Sequence, residues 1–187
     1  MTLRYLAAFL ALLPAAAHAI DTRELPMKKP VAAPEGAQAL CITYPFACAA
    51  GQGGRIGAGD LLRIAEINRI ANRQIAPLTD EAQYGRAEVW ALPTPAGGDC
   101  EDYVLWKKRA LAAAGIPASR LLIATVLDRD RAAHAVLVVR TGAGDLVLDN
   151  LTDDILRWDQ TGYTFLRVQD PAAPTRWVTS FAGGFLG

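Results

Sequence analysis

Residues 133–140, AHAVLVVR, and 145–149, DLVLD, are two apolar runs separated by Thr141-Gly142-Ala143-Gly144. Runs rich in Val and Leu, joined by a short glycine-containing link, read as antiparallel strands around a tight turn. This hairpin constrains the rest of the chain, because strand side chains alternate between faces and a one-residue slip turns every one over. If Arg140 faces Asp145, then Asp149 falls opposite Val136, and His134 lies diagonal to Asp149 on the same face. A slip of two residues puts His134 directly opposite Asp149. In both registers an imidazole and a carboxylate share a face within hydrogen-bond reach.

The remaining pattern predicts an α+β fold, with helices packed on an antiparallel sheet. Asp60 reads as a helix N-cap, followed by Leu61, Leu62, Ile64, Ile67, Ile70 and Ala71 at helical spacing over about 60–74. Residues 75–95 hold Pro77, Gly85, Pro93 and Pro95 and read as loop, with Tyr84 and Trp90 as half-buried anchors. A second helix runs from about Asp99 to Gly115, with Pro117 beyond it. Further strands are expected at 121–127, 158–168 and 176–181. The 187 residues suit one domain, and 52% hydrophobic residues exclude a fully disordered chain. Lys and Arg together number 19, as do Asp and Glu, so the basic excess of a general nucleic-acid binder is missing.

The chain opens MTLRYLAAFLALLPAAAHA. One arginine, a short apolar run, a proline and Ala17-His18-Ala19 have the form of a secretory signal peptide over 1–19. The other reading is an uncleaved anchor, although the run is short of the ~20 residues that a spanning helix needs. Cleavage leaves an extended, proline-containing arm at 20–40, a domain over 41–187, and His134 as the remaining histidine. Export implies an oxidising compartment, where three cysteines leave one unpaired. Cys41 and Cys48, seven residues apart in CITYPFAC with a proline between them, are the expected disulfide. Cys100 is then the free thiol.

Cys100 sits in Gly97-Gly98-Asp99-Cys100-Glu101-Asp102-Tyr103, where loop becomes helix. The glycines permit a tight turn and close approach of a substrate. The helix N-terminus favours a thiolate, whereas Asp99, Glu101 and Asp102 oppose it. Either a cation or a histidinium must resolve that conflict. Cys100, His134 and Asp149 form a candidate nucleophile, base and orienter, in which the carboxylate fixes the imidazole tautomer and the other nitrogen takes the thiol proton. Each residue alone has a structural reading: buried thiol, satisfied histidine, turn aspartate. The combination is what points to catalysis. The Cys100 backbone N–H is one candidate oxyanion donor, and Gln83 is a candidate for a second.

GGDCEDY, HAVLVV and LVLDN resemble the bacterial transglutaminase-like cysteine proteinases, as do INRIANRQIAPLTDEAQYGRAEVWALPTPAGGDCEDY and the closing TGYTFLRVQD and RWV segments. The resemblance spans about 41–180 and implies a papain/transglutaminase-like fold with Cys100, His134 and Asp149 as catalytic triad. It implies a periplasmic endopeptidase similar to the LapG-type proteases, which clip large surface adhesins and so release biofilm cells. In those proteases acidic residues flanking the cysteine bind calcium, and an inner-membrane cyclic-di-GMP receptor sequesters the enzyme. Asp99 and Glu101 match the flanking pair, and Asp102 is a third candidate ligand. Asp128 and Asp130 are further candidates in the loop before His134. Calcium would resolve the charge conflict at Cys100, although the hydrolytic chemistry itself needs no cofactor. The CITYPFAC loop departs from the LapG-type pattern and suggests a sister branch. Acyl transfer to an amine by the same triad and a degenerate, non-enzymatic binding module are the alternative functions.

Overall fold

The computed structural model describes residues 24–51 and 53–184. The expected signal segment, 1–19, lies outside the described residues, as do residues 20–23 of the expected arm. Chain order gives β1 (Pro30–Val31), α1 (Leu40–Thr43), α2 (Ala58–Gln74), α3 (Asp80–Tyr84), α4 (Cys100–Ala113), β2 (Leu121–Leu127), β3 (Ala133–Thr141), β4 (Gly144–Leu148), β5 (Leu156–Arg157), β6 (Thr164–Asp170) and β7 (Ala173–Ala182). The strands form one antiparallel sheet in the order β1-β7-β6-β2-β3-β4-β5. The fold is α+β, as expected. Among the described residues no helix is long and apolar enough to cross a membrane.

Period-two alternation divides the sheet's apolar side chains between its faces. Leu121, Ile123, Leu137, Val139 and Leu148 join Ile64 of α2 and Val104, Leu105 and Leu111 of α4 in one core. Leu122, Ala124, Val136, Val138 and Val147 join Trp158, Phe165 and Leu25 in the other. Each fully buried Leu or Phe contributes roughly 1.5–3 kcal/mol through removal from water. Helix α4 therefore packs on β3, which carries its first residue toward the start of that strand.

The hairpin takes the register with Arg140 opposite Asp145. Helix α4 ends where expected, with Gly115 at φ +90°. Helix α2 starts two residues earlier than the sequence suggests. Asp60 lies within its first turn, and its Oδ2 accepts the Gly57 N–H at 2.9 Å. Leu61 and Leu62 are exposed there, while Asn68 is buried. The segment expected as loop contains α3, capped by Thr79 and stopped by Gly85 at φ +63°. Trp90 is buried edge-on against Trp177, whereas Tyr84 lies at the surface, because the short α3 turns that side chain away from the core. Residues 158–160 form a 3-10 turn and not the start of a strand. Cys41 and Cys48 are disulfide-bonded, joining α1 to the following 3-10 turn. Of the expected extended arm, residues 24–34 are extended but anchored, with Leu25 buried and β1 paired with β7, and Glu35–Ala37 form a 3-10 turn that leads into α1.

Two fully buried lysines on α4 are tied to the sheet side. Lys108 Nζ donates to Gln169 Oε1 at 2.7 Å, and Ile123 N–H donates to the same oxygen at 3.1 Å. Gln169 Nε2 in turn donates to the Ala47 and Pro174 carbonyls. Burial pushes the Lys108 ammonium down to about 7. Between that value and the ordinary lysine range the unfolded chain binds more protons, so this group makes stability rise with pH. Lys108→Met should remove that slope. Urea unfolding from about pH 7 to about pH 9.5 should show wild type gaining on the variant, by up to ~1.4 kcal/mol per pH unit; a constant difference would contradict this.

Candidate active site

The loop into α4 needs its glycines. Gly97 sits at φ +137°, and a Cβ there would collide with the Ala76 carbonyl. A Cβ on Gly98 would fall 2.5 Å from Asp102 Oδ2. Gly98 N–H donates to that same Ala76 carbonyl at 3.0 Å, and Gly98 O accepts from Leu78 N–H. The turn places Cys100 at the first position of α4, half-buried. The backbone N–H of Ala135, one residue beyond His134, is near enough to favour the Cys100 thiolate. Cys100 and His134 line one cavity of about 330 Å³ together with Glu101, Trp90 and Arg167. Pro34, Glu35 and Gly36 from the anchored N-terminal segment form part of its wall.

His134 Nε2 and Asp149 Oδ1 are 2.9 Å apart, both side chains buried. Nδ1 is thus the ring nitrogen that Asp149 does not hold. Oδ1 also accepts the Leu151 N–H at 3.0 Å, and Oδ2 accepts the Tyr163 hydroxyl at 2.5 Å. Burial disfavours the Asp149 carboxylate, but the His134 hydrogen bond and charge, with Tyr163 and Leu151, outweigh it and hold its pKa below the ordinary range. The Asp149 carbonyl receives Lys107 Nζ at 2.8 Å from α4 and Asn72 Nδ2 at 2.9 Å from α2. Burial lowers the Lys107 ammonium to about 7, with Asp149 and Asp153 pulling it back up.

The acidic residues divide. Asp80, Asp99 and Glu101 bring one carboxylate oxygen each within 4.8 Å of one another. Asp99 Oδ2 accepts the Asp80 N–H at 3.2 Å, and Asp99 Oδ1 is buried without a partner. Burial raises the carboxyls of Asp80 and Glu101, and the Asp99 charge adds to both shifts. An all-oxygen cluster with an orphaned acceptor and disfavoured negative charge fits a hard cation such as calcium. Asp80 is the member that sequence reasoning missed, being 19 residues from Asp99 and carrying no motif. Asp102 is not one of these three: its Oδ1 accepts the Ala91 N–H at 3.0 Å, which fixes the loop carrying Trp90, while its Oδ2 is buried without a partner, and burial with the Asp99 and Asp80 charges pushes its carboxyl up to about 7. Asp128 caps the turn before β3 through the Asp130 and Ala132 N–H groups, and neither it nor Asp130 belongs to the cluster. Gln83 faces Thr94 and does not line the cavity.

The thiol is in an unfavourable field. Burial raises the Cys100 pKa, and the neighbouring Glu101 charge, together with the thiol's 3.1 Å hydrogen bond to that carboxylate, raises it further. The Ala135 N–H works the other way.

A family model described as bacterial transglutaminase-like cysteine proteinase BTLCP matches residues 27–182. No curated protein matches the chain. Among solved structures, calcium-bound LapG of Legionella pneumophila superposes with a TM-score of 0.54 at 24% identity, over 67% of this chain and 73% of that one. A second LapG structure from the same organism gives 0.53 at 20% identity, over 80% and 87%. The EGTA-treated form gives 0.50 at 21%, over 75% and 83%. At these identities the likeness is one of fold.

Replacing Glu101 with Gln removes both the charge and the strong acceptor beside the thiol. In chelator-treated protein Glu101→Gln should therefore lower the Cys100 pKa. The iodoacetamide rate of the free thiol should rise at lower pH in the variant than in wild type; an unshifted or upshifted profile would contradict the electrostatics described.

Proposed function

The chain belongs to the bacterial transglutaminase-like cysteine proteinases, and from that premise we propose that Cys100, His134 and Asp149 carry out its peptidase reaction. The observation that supports this reading is the His134–Asp149 pair at 2.9 Å, with its imidazole on the same cavity as the thiol at the head of α4. The Cys100 proton passes to His134 Nδ1, and the sulfur attacks the carbonyl carbon of the scissile peptide bond. The Cys100 backbone N–H, at the start of α4, receives the developing oxyanion. The tetrahedral species collapses as His134 Nδ1–H protonates the leaving amine, giving a thioester on Cys100 and a new N-terminus. His134 then takes a proton from water, whose oxygen attacks the thioester. The acid product leaves and the thiol is restored. Asp149 holds the ring at Nε2 and stabilises each imidazolium.

Asp80, Asp99 and Glu101 are the residues that would hold calcium. Bound there, the ion supplies positive charge that offsets the carboxylates around the thiol and so favours thiolate. The Glu101 carboxylate, turned toward the ion, would release the Cys100 S–H that it otherwise accepts.

The substrate is a protein, reached in the periplasm after removal of 1–19. A surface or secreted protein such as an adhesin, and sequestration by an inner-membrane cyclic-di-GMP receptor, complete the proposal by family resemblance.

Mass-spectrometric profiling of a peptide library tests the triad. Cys100→Ala, at unchanged melting temperature, should lose cleavage by at least about a thousandfold, and His134→Ala should do likewise. Undiminished cleavage by Cys100→Ala would remove the assignment, and transfer of a labelled amine to a glutamine peptide in place of cleavage would mark an acyltransferase. For the ion, EGTA should lower both activity and melting temperature, with calcium restoring them. Asp80→Asn should weaken that restoration; indifference to EGTA, together with no bound metal by elemental analysis, would remove the calcium site.

A further inference from the structure

Asp149 has two carboxylate oxygens and both are committed. Oδ1 serves His134 Nε2 and the Leu151 N–H, while Oδ2 serves one side chain, Tyr163. The 2.5 Å separation is short, as expected for a hydroxyl donating to an ionised acceptor. The same tyrosine ring meets the His134 ring edge-on, with centroids 5.9 Å apart and planes at 87°. One buried residue therefore touches both members of the imidazole–carboxylate pair.

Tyr163 is itself held in place. Its N–H donates to Thr161 Oγ1 at 3.1 Å, and that hydroxyl donates to the Trp158 carbonyl at 2.8 Å. Arg129 Nε grips the Thr161 carbonyl at 2.8 Å from the β2–β3 loop. Gly162 adopts φ +76°, a conformation that turns the chain between Thr161 and Tyr163. The tyrosine thus enters from the start of β6, while His134 comes from β3 and Asp149 from the end of β4. Burial and the Asp149 carboxylate both push the phenol pKa up, so the hydroxyl stays protonated and donates.

The physical consequence follows from the torsion that a carboxylate leaves loose. Rotation about the last bond of an aspartate is broad and roughly two-fold. A donor on each oxygen fixes that plane, so Oδ1 faces Nε2 continuously. The ring edge against His134 restricts the imidazole from the other side. We propose that Tyr163 is a positioning residue of the peptidase reaction, acting through Asp149 to hold the plane of the carboxylate and the orientation of the His134 ring. This rests on the assignment of Cys100, His134 and Asp149 above.

Tyr163→Phe keeps the ring and deletes the donor. With a fluorogenic peptide selected from the library, kcat should fall about tenfold while KM stays within about twofold. The Nε2–H proton resonance of 15N-labelled His134 should move downfield, because a carboxylate that has lost one donor pulls harder on the other. In an Asp149→Ala background, Tyr163→Phe should add no further loss, since the residue acts through that carboxylate. Site-specific 3-fluorotyrosine at position 163, a stronger donor of nearly the same shape, should move the resonance upfield. That arm decides the matter alone if the Phe variant fails to fold. An unchanged kcat and resonance alongside a lowered melting temperature would overturn the proposal, leaving Tyr163 as packing. So would an equal loss in the presence and absence of the Asp149 side chain. If His134→Ala and Asp149→Ala keep full activity, the triad assignment itself falls, which is a separate and recognisable result.

Discussion

The register of one hairpin carries the site. With Arg140 opposite Asp145, the pleat places His134 and Asp149 on one face, and their side chains close to 2.9 Å across the diagonal. A slip by a single residue would put the imidazole and the carboxylate on opposite faces. Everything else around the pair protects that geometry. Lys107 and Asn72 grip the Asp149 backbone from two helices, Leu151 and Tyr163 occupy its carboxylate, and α4 packs on β3 so that its first residue shares a cavity with the histidine near the start of that strand.

The second constraint is electrostatic and runs against catalysis. The start of α4 offers a helix terminus that favours an anion, yet it surrounds the thiol with carboxylates. Burial first, and the crowded carboxylates second, make these acids resist ionisation and the thiol resist losing its proton. A divalent ion at Asp80, Asp99 and Glu101 would relieve both at once. On this reading metal binding and nucleophile activation are a single event, because Glu101 faces the cluster and also accepts from the thiol.

Local signals account for what the sequence reveals. The hairpin and its glycine turn, the helix that opens at Asp99 and stops at Gly115, and the Cys41–Cys48 bridge each depend on neighbours in the chain. The hairpin left two registers open, since both put His134 and Asp149 on one face and only packing separates them. What escaped notice depends on distant partners. Asp80 joins Asp99 only because the Ala76–Gly98 contact folds one loop back on the other. Tyr163 reaches Asp149 from a strand on the far side of β2 and β3. Asp102, a ligand candidate in the linear motif, commits Oδ1 to the Ala91 N–H and leaves Oδ2 buried without a partner, a division that only the folded loop reveals. The Leu61–Leu62 pair reads as core by periodicity and is exposed, while Asn68 sits on the buried face of α2 beside Ile64 and Ala71 and donates to the Asp153 carbonyl.

The central claim is that the fold makes Cys100 reactive by placing it on one cavity with His134. Labelling with a peptidyl chloromethyl ketone in the presence of calcium, located by peptide mapping, measures this directly. Native protein should be modified at Cys100 much faster than the same protein unfolded in urea with its disulfide intact, and His134→Ala should abolish the difference. A native thiol that reacts no faster than the unfolded one would contradict the account.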